Sequence, residues 1–207
     1  MKHFWLNKTN ENKKLIIFFN GWGMDKKIVS HLDCEDYDVV VLYDYNDLEL
    51  DTEALNLSQY TEKHIIAWSM GVMVATLFNN LGEISSSTAI CGTPFAIDNE
   101  YGIPERIYNL TIRGFSETSS KKFMERMFIE KPDMETFSNR TFDSKLSELK
   151  KMLEYKTNTE FKYTKAIVGS DDKIIPTKNQ LNFWKKPTII NSGHCPFMLY
   201  KKWAELL

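Results

Sequence analysis

An α/β fold, with a mainly parallel sheet and helices on both faces, is predicted by three features of the chain. Short apolar runs recur along it without polar alternation, so each strand is covered on both sides. Helical patterns separate those runs, as a parallel sheet requires of its crossovers. The length, 207 residues with 43% hydrophobic content, is that of one compact domain, residues 1–207, with a sizeable core.

The elements follow in order. Residues 15–19 form a buried strand closed by the loop Asn20-Gly21-Trp22-Gly23. Residues 39–43 form a second, followed by the acidic stretch Asp44-Tyr45-Asn46-Asp47, and residues 64–68 a third. The stretch 70–81 reads as a helix, with Gly82 placed as its left-handed cap. Residues 88–91, 166–168 and 188–190 are three more strands, and 197–207, after Pro196, reads as a terminal helix. Between 94 and 161 runs of β-branched residues give way to amphipathic signals. Phe123, Met124, Met127 and Phe128 share one helical face, and Leu146, Leu149 and Leu153 form a second stripe after Asp143 or Ser144 as N-cap. This segment reads as a helical cap inserted between the fourth and fifth core strands.

Composition excludes several classes. The net charge of −2 provides no basic field for nucleic acid. No apolar run approaches the ~18–20 residues of a membrane span, and the N-terminus lacks a signal peptide's apolar core. Cys34, Cys91 and Cys195 are odd in number and scattered, which suggests a reducing, cytoplasmic setting and neither disulfides nor zinc. No phosphate-binding glycine loop occurs, and no cofactor or metal is expected. The charge is uneven: residues 1–100 carry −8 and residues 101–207 carry +6.

Chemistry concentrates at strand ends. Ala67-Trp68-Ser69-Met70-Gly71 lies at a strand-to-helix junction, the context of a nucleophile elbow, with Ala67 standing where glycine is usual. Acyl transfer by Ser69 needs a base and an acid to orient it, in the α/β-hydrolase order Ser, Asp or Glu, His. Of four histidines only His194 follows Ser69, just past the strand 188–190. The loop Gly169-Ser170-Asp171-Asp172 leads to Pro176; its spacing favours Asp172 as the acid, with Asp171 the alternative. The backbone N–H groups of Met70 and Trp22 are the natural oxyanion donors. His64 reads as a packed or edge histidine of its strand, Cys195 as a bystander beside His194, and Asp44 and Asp47 as caps or solvated loop residues.

Together Phe19-Asn20-Gly21-Trp22-Gly23, Tyr43-Asp44-Tyr45, Ala67-Trp68-Ser69-Met70-Gly71-Val72, Gly102-Ile103-Pro104 and Asp172-Lys173-Ile174 resemble the BioG-type pimeloyl-[acyl-carrier protein] methyl ester esterases, small α/β-hydrolases of biotin synthesis. The resemblance implies hydrolysis of the pimeloyl methyl ester to methanol and pimeloyl-[acyl-carrier protein]. It implies Ser69 as nucleophile, His194 as base then acid, Asp172 as orienting acid, and Trp22 and Met70 as oxyanion donors. It also implies an acidic acyl-carrier protein as partner, for which Lys121, Lys122, Arg126 and, more weakly, Arg113 are the expected docking residues. Two other readings remain open at this level: a general short-chain carboxylesterase or acyl-thioesterase using the same residues, and a non-catalytic binding protein of the same fold.

Overall fold

A single sheet organises the protein, and the computed structural model describes residues 1–9, 11–130 and 137–207. Its strands are β1 (Lys2–Asn7), β2 (Lys14–Phe19), β3 (Tyr37–Tyr43), β4 (Glu62–Trp68), β5 (Ser86–Ile90), β6 (Lys165–Gly169) and β7 (Thr188–Ile190). They lie in the order β1-β3-β2-β4-β5-β6-β7; β1 runs antiparallel to β3 and every other pairing is parallel. Residues 15–19 and 39–42 are buried without interruption, which explains their unbroken apolar runs. At β1, KHFWLN has no such run, so the edge strand escapes a search for apolar stretches.

The chain order reverses beside β2, because β3 lies on one side of it and β4 on the other. At such a switch point the loops leaving two parallel strands diverge and open a crevice beyond their C-terminal ends. Register places Phe19 beside Ala67 and Trp68 beside Ile90, so the loops after β2 and β4 emerge together. These are the two loops expected to carry Trp22 and Ser69.

The helices are α1 (Gly71–Ala75), α2 (Glu105–Arg113), α3 (Glu117–Arg126), α4 (Phe142–Met152) and α5 (Thr177–Phe183). α2, α3 and α4 lie between β5 and β6, within the stretch 94–161 expected to be helical; residues 131–136 of that stretch lie outside the described residues. Thr141 caps α4, its side chain accepting from Ser144 N–H, in place of the expected Asp143 or Ser144. On α4 the buried positions are Glu148, Leu149 and Met152, while Leu153 is exposed, so the apolar stripe is interrupted by a carboxylate.

Two expected helices are shorter. α1 covers only 71–75 of the stretch 70–81. The Thr76 hydroxyl donates to Met73 O at 2.7 Å and accepts from Asn158 N–H, offering the backbone a competing partner. Leu77 and Phe78 then bond three residues back, in turns. The stretch 197–207 forms two short 3-10 turns, Phe197–Leu199 and Trp203–Leu206. Between them the backbone is drawn out to pair with residue 33: Asp33 N–H donates to Lys201 O, and Trp203 N–H to Asp33 O. The apolar spacing there serves the core, since Phe197 and Trp203 are fully buried and meet the Phe18 ring edge-on at 5.6 and 5.1 Å. Among the described residues, no helix is long and apolar enough to cross a membrane.

Candidate active site

Ser69 stands at the tip of β4 with φ +58°, a left-handed backbone that costs an L-residue about 1–2 kcal/mol. Its N–H donates to Ile90 O, and its carbonyl accepts Val72 N–H as α1 begins. The turn is tight enough that a Cβ at Gly71 would sit 2.3 Å from Phe19 O and 2.5 Å from Asn20 O. Ala67 fits without residual exposure, so the departure from glycine there is accommodated.

His194 Nε2 lies 2.7 Å from Ser69 Oγ, and His194 Nδ1 lies 2.8 Å from Asp172 Oδ2. A carboxylate only accepts, so Nδ1–H donates to Asp172; in the neutral ring Nε2 is then left to accept from the serine hydroxyl. All three residues are buried. Asp172 is held from its other side: Oδ1 accepts from Ile174 and Ile175 N–H, and Oδ2 also accepts from Gln180 Nε2 at 2.8 Å. Asp171, by contrast, is exposed and ion-paired with Lys173. The alternative acid therefore points away from the imidazole.

Two positioning contacts had no signal in the sequence. Trp68 Nε1–H donates to His194 O at 2.8 Å, so the residue before the serine holds the histidine loop. Gln180, fully buried on α5, fixes Asp172; its element is short and polar in sequence, without the apolar periodicity that reveals a helix. Cys195 is buried, and burial pushes its thiol well up, away from thiolate chemistry.

The loop after β2 closes against Ser69. A Cβ at Gly21 would lie 2.8 Å from the Trp68 ring, so the backbone must pass close. Asn20, fully buried, accepts from Gly21 N–H through Oδ1 and donates through Nδ2 to Asp25 O. Asn20 thus buttresses the loop from within. Asn20 N–H donates to Leu42 O, and Met24 N–H to Gly21 O. Gly23 N–H donates to Glu148 Oε2. Among the described residues, the backbone N–H groups of Trp22 and Met70 make no protein hydrogen bond. Both residues line the cavity beside Ser69.

That cavity is narrow, about 60 Å³, and mostly apolar. Ile103, Ile107 and Tyr108 line it from the α2 side, Phe123 and Met127 from the α3 side. Arg126 and Lys173 bring charge to the lining. Lys121, Lys122 and Arg113 are exposed on α2 and α3 and do not line the cavity. Asp44, expected to be a cap or solvated, is buried: Arg140 Nη2 reaches its Oδ1 at 2.7 Å and Lys2 its Oδ2 at 2.8 Å. His64 is packed as expected, between Ser86 Oγ and Glu62 Oε1. Among the described residues, no group of three or more His, Cys, Asp or Glu is placed to hold a metal ion.

A family model described as Pimeloyl-ACP methyl esterase BioG matches residues 1–206. A Bacteroides fragilis protein named malonyl-[acyl-carrier protein] O-methyltransferase is 36% identical over 185 residues, 84% of this chain and 37% of that one. The chain thus spans little more than a third of that relative's length. The crystal structure of BioG from Haemophilus influenzae aligns with a TM-score of 0.90 at 32% identity, covering 100% of this chain and 99% of that one. At 11% identity, an alpha/beta hydrolase fold protein from Burkholderia ambifaria still aligns with a TM-score of 0.61 over 94% of this chain and 88% of its own, a likeness of fold alone.

Proposed function

The chain belongs to the BioG family of pimeloyl-ACP methyl esterases; from that premise we propose that it is a carboxylic ester hydrolase of biotin synthesis, hydrolysing the methyl ester of pimeloyl-[acyl-carrier protein] methyl ester through a Ser69-His194-Asp172 triad. The carrying observation is the continuous hydrogen-bonded line from Ser69 Oγ through His194 to Asp172, at the wall of a narrow apolar cavity. His194 Nε2 takes the serine proton as Oγ attacks the ester carbonyl. Charge develops on the carbonyl oxygen, where the unengaged N–H groups of Trp22 and Met70 receive it. Collapse of the tetrahedral intermediate expels methoxide, which leaves as methanol with the proton from His194. Water, deprotonated by the same imidazole, then releases the acyl chain as its free carboxylate.

The apolar lining suits the methylene chain of a pimeloyl group. The helices α2, α3 and α4 act in this reading as a short cap over it. Delivery on an acidic carrier uses the basic residues Lys121, Lys122, Arg126 and Arg113, with Arg126 nearest the reacting centre because it also lines the cavity. The test is methanol release from the carrier-bound methyl ester, with the carrier thioester and short aryl esters as competing substrates. Turnover preferring the methyl ester, and abolished in Ser69→Ala together with covalent labelling by a serine-directed phosphonate, is expected. Wild-type protein that neither labels nor releases methanol would overturn the reading.

A further inference from the structure

We propose that Glu148 is a positioning residue for the oxyanion loop, holding residues 22 and 23 from helix α4 so that the Trp22 N–H stays aimed into the cavity beside Ser69. The inference rests on the assignment of Trp22 as an oxyanion donor. Of the five backbone N–H groups from Asn20 to Met24, four are engaged within the protein and only that of Trp22 is not, among the described residues. The loop therefore presents one donor and ties down its neighbours.

Glu148 ties Gly23, the residue after Trp22, from outside the loop. It is fully buried, its Oε2 accepts Gly23 N–H at 3.0 Å, and its Oε1 accepts Tyr45 N–H at 2.8 Å. One carboxylate thus bridges the loops that leave β2 and β3. Arg140 closes on Oε2 and reaches Asp44 Oδ1 with its other terminal nitrogen, so the charge is matched where water is excluded. One turn earlier on α4, Lys145 O accepts from the Trp22 indole N–H at 2.8 Å. The side chain of residue 22 and the backbone of residue 23 are both fixed to the same helix.

A buried carboxylate is costly unless paired, and an apolar side chain would fill this space without that cost. What a carboxylate supplies is an acceptor at both ends. Burial pushes the Glu148 carboxyl up, against the pull of the Arg140 guanidinium and the two backbone donors. Glutamine matches it in shape but has a single acceptor oxygen. Its amide NH₂ would face either Tyr45 N–H or Gly23 N–H and Arg140, donor against donor.

The test is Glu148→Gln in the full chain, assayed on dimethyl pimelate and on the carrier-bound methyl ester, with thermal melting to establish the fold. Outright loss of an oxyanion donor costs about 10²–10³ in kcat, and misplacing one should cost about 10- to 100-fold, with KM within twofold of wild type. Glu154→Gln, beyond the exposed end of the same helix, is expected to leave both constants unchanged. Folded Glu148→Gln with wild-type kcat, or with its loss carried by KM, overturns the proposal. If Glu148→Gln does not fold, Glu148→Asp keeps the charge but withdraws it by one methylene. The same fall in kcat is expected there, and wild-type kcat in the folded variant overturns the proposal. Ser69→Ala in the same assay separates the two levels. Activity retained there removes the serine-esterase reading and the brace with it, whereas activity lost there but intact in Glu148→Gln removes the brace alone.

Discussion

Asp172 accepts from two backbone N–H groups and Gln180 as well as from His194, so the imidazole is oriented by a carboxylate that is itself immobile. Asp172→Asn would preserve the shape but offer His194 a side-chain NH₂, favouring the wrong tautomer. We expect kcat to fall about 10⁴-fold with the fold retained by circular dichroism. Asp171→Asn, at an exposed side chain paired with Lys173, should leave kcat within about twofold. Equal losses in the two variants would contradict the assignment of the acid. At this scale Ser69, Asp172 and His194 were legible because chain order and loop spacing single them out. Trp68 Nε1–H and Glu148 were not, because each acts on a residue distant in sequence through a contact that only folding creates, and Gln180 was not, because its short polar segment carries no helical periodicity to place it against Asp172.

The element that decides the site is the junction of β4 and α1, which crosses close over the end of β2. An alanine methyl at Gly71 would meet the carbonyl oxygens of Phe19 and Asn20, backbone atoms that cannot rotate aside. Gly71→Ala should therefore cost roughly 1–3 kcal/mol in urea unfolding. It should also lower kcat, since the junction can relieve the clash only by moving Ser69 and Met70 away from the Trp22 loop. Unchanged stability would show that the loop yields freely. Elements were legible where burial on both faces leaves an unbroken apolar run, as in β2 and β3. They were misread where other partners took over backbone bonding, the Thr76 hydroxyl locally at the end of α1 and the distant Asp33 between the two C-terminal turns.

At the scale of the whole molecule, the charge asymmetry and the cavity belong together in the proposed function. The +6 half contains α2 and α3, which carry the exposed Lys121, Lys122 and Arg113, and Arg126 lines the cavity itself. Reversing Lys122 and Arg126 to glutamate should raise KM for carrier-bound substrate about tenfold or more at low salt, with the gap to wild type closing as ionic strength rises. Turnover of dimethyl pimelate should change far less; equal effects on both substrates would show that no carrier surface had been altered. The fold class was legible along the chain, and Ser69 and His194 came forward there as candidates, because apolar periodicity, loop chemistry and chain order are local or one-dimensional properties. Only the folded core sets how closely His194 approaches Asp172 and brings a buried glutamate on α4 to the loop after β2. Those contacts join residues 22 to 125 positions apart, and no spacing rule along the chain specifies a distance across a folded core.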